Sequence, residues 1–245
     1  MANSLYIMLK AVIFDLDGVV ADSHPIHEVA WKALLTEAGL DPQSINVDFL
    51  YAGHPRREIL KHYLGSLSDS EVQHWGRRKD ELYELAARAL QAKPGIPRVL
   101  SQLKEAGIAR ALATSAGRKR SVESLELLGL TNHFPVVITG DDVHTPKPAP
   151  DIFLLAARKL DAQPENCVVV EDSVAGVQAA VAGGMKCVGF TSHERADELR
   201  RAGADDVISD FPQSPVPYFS ALLGARNSRE ISSGVAQAKS SRQGC

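Results

Sequence analysis

The chain has 245 residues, 44% of them apolar and 23% charged, with a formal net charge of -3. That balance is ordinary for a soluble globular protein with one large domain, or a core carrying an insertion. It gives no electrostatic grip on nucleic acid or an anionic membrane, and no apolar run approaches the roughly 20 residues of a membrane span. Three cysteines, Cys167, Cys187 and Cys245, have no metal-ligand spacing. The first two sit in apolar runs and read as buried, reduced thiols.

The opening MANSLYIMLKAVIF lacks a signal-peptide plan and leads straight into a first strand, Ala11–Phe14, so a cytoplasmic protein is expected. From Pro25 to Ala92 no strand pattern appears. HEVAWKALLTEAGL, REILKHYLG and DSEVQHWGRRKDELYELAARAL all read as amphipathic helices. Asp69 or Ser70 is expected to cap the last of them, with Gly39 and Gly65 at helix ends.

After the linker Lys93-Pro94-Gly95, strands and helices alternate. The strands are expected at Ala109–Ala113, Val136–Thr139, Cys167–Val170, Lys186–Phe190 and Asp206–Ile208. Helices are expected at Ile96–Ala106, Lys119–Leu128, Pro150–Leu160, Ala175–Ala182 and Ala196–Ala202. Most strands lack in-out alternation, as strands covered on both faces do. The order predicts an α/β fold: a doubly wound parallel sheet with an inserted small α-helical domain. Residues 1–24 and 93–224 would form the core and 25–92 the insertion. Residues 225–245, rich in Ser, Gln and Gly, are expected to be a disordered tail.

Open α/β sheets bind ligands at the carboxyl ends of their strands. The first strand ends in Asp15 and Asp17, the second in Thr114 and Ser115, and the fourth in Glu171, Asp172 and Ser173. Lys147 sits in the loop after the third strand. Two carboxylates one residue apart hinder each other's ionisation, so a fold gains nothing from them alone. A group of hard oxygen ligands suits Mg²⁺, which relieves that repulsion. Hydroxyls, a lysine and backbone N–H groups hold phosphate oxygens. Asp15 is then a candidate nucleophile and Asp17 a candidate general acid and base. The plainer readings are a solvated turn at Asp15 and Asp17, and helix caps at Thr114, Ser115 and Glu171-Asp172-Ser173.

DLDGVVADS, ATS, Lys147-Pro148 and VVVEDS, in this order, resemble the four motifs of the haloacid dehalogenase superfamily, from about Leu9 to Asp210. The resemblance implies a Rossmannoid core with an α-helical cap. It implies Asp15 as nucleophile, Asp17 as acid/base, and Thr114 and Lys147 on the transferring phosphoryl group. It implies Mg²⁺ on Asp15, the backbone carbonyl of Asp17 and Asp172, with Glu171 close by and counted among the metal residues. The superfamily's true dehalogenases lack the second aspartate, so Asp17 argues for phosphoryl transfer.

Within the superfamily the chain is similar to β-phosphoglucomutase and its sugar-phosphatase relatives. That likeness places His27, Trp31, Gly53, Arg56 and Lys79 at substrate-facing positions of the insertion, with Ser115 and Arg118 after the second strand. Ala52, Gly117 and Arg118 depart from the mutase pattern, which leans the reading toward a Mg²⁺-dependent phosphatase of a small phosphorylated sugar or similar metabolite. A sugar-phosphate mutase is the alternative. A phospho-receiver module is a remote one, being about half this length and without a helical insertion. A monomer without nucleic-acid or membrane partners is expected.

Overall fold

The computed structural model describes residues 8–46, 49–50 and 56–224. Six parallel strands form one sheet in the order β3-β2-β1-β4-β5-β6. They are β1 (Ala11–Phe14), β2 (Ala109–Ala113), β3 (Val136–Ile138), β4 (Cys167–Glu171), β5 (Lys186–Phe190) and β6 (Asp206–Ile208). The chain builds outward from β1 to β3, then returns to lay β4 on the other side of β1. The strand order therefore reverses beside β1, which is where such sheets open a ligand crevice.

The four inner strands, β1, β2, β4 and β5, bury both faces, which explains their unbroken apolar runs. One face of the sheet, with Val12, Phe14, Leu112 and Val170, packs against Ile96, Leu100 and Leu103 of one helix and Phe219 and Leu223 of another. The other face, with Ile13, Ala111, Val169 and Cys187, packs against Phe153, Val177 and Leu199. Cys167 and Cys187 are buried free thiols, as expected.

Between β1 and β2 the described chain is helical. It contains α1 (His24–Glu37), α2 (Arg56–Leu64) and α3 (Asp69–Ala86). These helices have their own apolar cluster of Trp31, Leu34, Ile59 and Leu60. The two linkers are tied to each other: the Asp22 amide donates to the Gln91 carbonyl (2.8 Å) and the Lys93 amide to Val20 (2.9 Å). Lys93 Nζ adds a 2.8 Å ion pair with Asp22.

The core helices are α4 (Ile96–Glu105), α5 (Arg118–Leu127), α6 (Asp151–Lys159), α7 (Val174–Ala182), α8 (Ala196–Ala202) and α9 (Pro215–Gly224). Most boundaries fall within a residue of expectation. β3 stops at Ile138 because Thr139 instead caps a short turn with Asp142. β4 runs on to Glu171, which pairs with Gly189. The cap of α3 is Ser68, not Asp69 or Ser70. Its hydroxyl accepts from the Glu71 amide and Glu71 accepts from the Ser68 amide, a reciprocal box that needs a glutamate three residues on. α9 has no counterpart in the sequence reading, since Pro215 and Pro217 hide its apolar face. The expected tail at 225–245 lies outside the described residues.

Phe219 of α9 is fully buried against the sheet. Phe219→Ala is expected to cost roughly 3–5 kcal/mol, the range for truncating a core aromatic. Urea denaturation checks this; an unchanged midpoint would mean α9 is not part of the core.

Candidate active site

β1 lies between β2 and β4, with Phe14 level with Leu112 and Val170. Asp15, Thr114 and Glu171 therefore emerge together at the carboxyl edge. Asp15 continues the strand, its amide donating to the Val170 carbonyl at 3.0 Å. Lys147 reaches this point from the loop after β3. Its Nζ lies 2.6 Å from Asp15 Oδ1, 2.7 Å from Glu171 Oε1 and 3.3 Å from the Ala113 carbonyl. Lys147 is thus a buried cation between two buried carboxylates and not a surface lysine. Burial by itself would lower its pKa, but the Asp15 and Glu171 charges raise it. Burial, with Lys147 opposing, pushes Asp15 well above the usual carboxylate range.

Glu171 stood among the metal ligands in the sequence reading. Both of its oxygens are committed: Oε1 to Lys147, and Oε2 to the Ser173 amide (2.7 Å) and hydroxyl (2.9 Å). It braces the lysine. A Cβ on residue 176 would fall 1.8 Å from Glu171 Oε1, so the carboxylate fits only because Gly176 stands there. Ser173 also caps α7, accepting from the Gly176 amide. Thr114 is buried and its hydroxyl accepts from the Ala116 amide at 3.1 Å, while Ser115 is exposed beside it.

Asp17 is held apart from Asp15 by a different cation. Arg120, in the first turn of α5, donates to both its oxygens, at 2.9 Å and 2.6 Å. Burial alone would raise Asp17, but the Arg120 charge and its two hydrogen bonds, with the His27 ring nearby, hold it well below its ordinary value. Arg120 was not singled out from the sequence. The signal was there in Arg118-Lys119-Arg120: three cations at a helix N-terminus oppose the helix dipole and need partners. Each has one: Asp142 for Arg118, Glu84 for Lys119 and Asp17 for Arg120.

The insertion supplies the roof. His27 Nε2 stands 3.6 Å from Asp17 Oδ1, and its Nδ1 is 2.6 Å from Lys79 Nζ. His27, Lys79 and Arg120 all pack on the Tyr83 ring, at 4.6, 4.9 and 5.0 Å. Trp31 is nearly buried in the insertion's apolar cluster, with Lys79 Nζ 5.6 Å from its ring centre. Arg56 lines the cleft, but Asp80 holds it through two bonds of 2.5 and 3.0 Å. Gly53 lies outside the described residues. Under this roof is a cleft of about 280 Å³ bounded by Asp17, His27, Trp31, Arg56, Lys79 and Asp172. Arg195, which the sequence reading passed over, also lines it. A wider opening of about 630 Å³ lies on the α5 side, beside Ser115, Arg118 and Arg120.

Among the described residues no three His, Cys, Asp or Glu side chains form a ready metal cluster. The expected Mg²⁺ set needs less: two carboxylates, Asp15 and Asp172, and the carbonyl of Asp17, all hard oxygen donors. Gly18, at φ +74, makes room for it. A Cβ there would lie 2.1 Å from Asp172 Oδ2. The donor chemistry of these residues fits a hard cation; Asp17 would offer its backbone carbonyl, its side chain being on Arg120.

The protein is thus a parallel α/β sheet whose acidic, lysine-bearing carboxyl edge is roofed by helices. The chain belongs to the haloacid dehalogenase-like hydrolase family, whose model matches residues 12–190. It is 34% identical over 200 residues to a phosphorylated carbohydrates phosphatase of Thermotoga maritima, covering 80% of this chain and 92% of the relative. It is 34% identical over 190 residues to β-phosphoglucomutase of Bacillus subtilis, covering 74% and 83%. The crystal structure of a β-phosphoglucomutase from Clostridium difficile superposes with a TM-score of 0.75 at 27% identity, over 89% of this chain and 99% of that one.

Burial, helped by the Arg120 and Arg56 charges, lowers the Lys79 pKa to about 7. In an unfolded chain it stands near 10.4. Between these values the unfolded state holds a proton that the folded state has released, so folding stability rises with pH from about 7 to about 10. Lys79→Met is expected to flatten that rise in denaturation curves taken across the interval. An unchanged slope would contradict the buried, uncharged amine.

Proposed function

We propose that the chain is a Mg²⁺-dependent phosphatase of a small phosphorylated sugar or related metabolite, working through an aspartyl phosphate on Asp15. The observation that carries this is the division of the two aspartates between separate cations, Asp15 on Lys147 and Asp17 on Arg120. Sharing no partner, the two are free to take different roles. Once a seated substrate frees Asp17 from Arg120 and Asp17 takes up a proton from solvent, an Asp15 oxygen attacks phosphorus while Asp17 gives that proton to the departing alcohol oxygen. Water then attacks the phosphorus of the aspartyl phosphate and passes its proton to Asp17, releasing phosphate and restoring Asp15. Lys147 and Thr114 orient the phosphoryl oxygens. Asp15, the Asp17 carbonyl and Asp172 would hold Mg²⁺, which offsets the negative charge gathered at the reacting phosphate when bound.

Hydrolysis is favoured over a mutase because a mutase must seat a second phosphate. The cations nearest the opening, Arg56, Arg118 and Lys119, each already carry a carboxylate partner. The cleft offers instead Trp31, Lys79 and His27, a mixed apolar and hydrogen-bonding wall suited to a polyol. The named relatives include phosphatases of phosphorylated carbohydrates, hexitol phosphate and fructose 1-phosphate, which supports the substrate class. Among the described residues no helix is long and apolar enough to cross a membrane. The reading includes a cytoplasmic monomer acting on a dissolved metabolite.

Purified protein with Mg²⁺ and a panel of phosphorylated sugars tests this, including β-glucose 1-phosphate primed with glucose 1,6-bisphosphate. Inorganic phosphate is expected from one or a few substrates, with Asp15→Asn reducing the rate at least about 10³-fold. Glucose 6-phosphate formed without phosphate release would overturn the phosphatase reading in favour of a mutase.

A further inference from the structure

Asp172 is paired with a residue that the catalytic reading does not use. His24 Nε2 lies 3.0 Å from Asp172 Oδ2, and the Asp172 side chain is only 12% exposed. His24 is the first residue of α1, so the contact joins the insertion to the strand-end loop of the core. We infer that His24 is a positioning residue for Asp172, tying the cation site to the placement of the helical insertion. This rests on the Mg²⁺ reading above.

Three separate parts of the chain close on one carboxylate. A Cβ on Gly18 would meet Asp172 Oδ2 at 2.1 Å and His24 Cε1 at 2.9 Å. The turn after β1, the loop after β4 and the start of α1 are therefore packed together at this point. A carboxylate beside a cation can rotate about its Cα–Cβ and Cβ–Cγ bonds. A donor fixed on one oxygen stops that rotation and leaves the other oxygen aimed. His24 is itself fixed. The residues just before it are tied to the return linker by the Asp22–Gln91 and Val20–Lys93 backbone bonds, and by the Asp22–Lys93 ion pair. Pro25 starts the helix at once. The bond thus holds only while α1 keeps its present angle at the linkers.

An ordinary ion pair at the surface is the plainer account. Such a pair joins two solvated side chains and leaves neither oriented. Here the acid is nearly buried, it lines the same cleft as Asp17, and the glycine beside it is required by the contact. The consequence is a linkage. Whatever holds the insertion over the core, a seated substrate included, also orders Asp172, and a bound cation in turn favours that placement.

Calorimetric titration of Mg²⁺ into the full-length protein tests the role, using wild type, His24→Ala and His24→Gln. Melting curves without metal accompany the titrations to confirm that each variant is folded. His24→Ala is expected to bind Mg²⁺ about 10-fold more weakly, in the range for lost partners of metal ligands. His24→Gln, whose amide N–H replaces the ring N–H, is expected to recover most of that loss. Saturable binding to wild type with the same Kd in His24→Ala would overturn the role of His24 and leave the Mg²⁺ reading standing. No saturable binding to wild type would overturn both.

Discussion

Four carboxylates crowded at one edge of a sheet set the terms for the rest of this structure. β1 and β4 are neighbours in register, so Asp15 and Glu171 leave the sheet side by side, with Asp17 and Asp172 following. Left alone, buried like charges would drive protons onto one another or push the loops apart. The chain answers with three basic partners for the four acids. Lys147 lies between Asp15 and Glu171, Arg120 grips Asp17, and His24 meets Asp172. Two of these acids are pushed in opposite directions, Asp15 upward and Asp17 downward. Removing a partner from such a buried pair typically costs roughly 3–5 kcal/mol, because the remaining charge is stranded. The cations are therefore as much a condition of the fold as of the chemistry.

The helical insertion takes part in the same charge pattern. His24 and His27 share the first turn of α1, yet they face two different core carboxylates, Asp172 and Asp17. Lys79 stands behind His27, and Glu84 of α3 reaches across to Lys119 of α5. Several side chains expected to wait for substrate are already engaged within the protein. Arg56 is clamped by Asp80 and Arg118 by Asp142. With those two cations engaged, the rest of the cleft wall, Trp31, Lys79 and His27, presents apolar and hydrogen-bonding groups.

Much of the fold was legible because its signals are local. Doubly covered strands read as unbroken apolar runs such as Cys167–Val170, and glycines such as Gly39 and Gly65, with φ of 92 and 78, mark chain turns. The placement of Asp15, Asp17, Thr114 and Asp172 followed from the strand ends, and that of Lys147 from the loop after β3. What stayed hidden was pairing over long separations. Arg120 and Asp17 are 103 residues apart, and no periodicity distinguishes Arg120 from Arg118 two residues earlier. Glu171 was grouped with the metal residues by its type and place; that Lys147 and Ser173 occupy its two oxygens is a pairing the sequence does not show. α9 was lost for a different reason, since two prolines in its first turn imitate a loop while being well tolerated there.

The central claim is that the two aspartates are divided in role, Asp15 accepting the phosphoryl group and Asp17 handling protons. Acetyl phosphate needs no proton for its leaving group, so it tests the first role without the second. The Asp17→Asn variant would be incubated with acetyl phosphate and Mg²⁺, quenched in acid, and mapped by peptide mass spectrometry. The account predicts a phosphoryl group on Asp15 that accumulates in Asp17→Asn and is absent from Asp15→Asn. A phosphoryl group on another residue, or phosphate released from acetyl phosphate by Asp15→Asn at the wild-type rate, would contradict it.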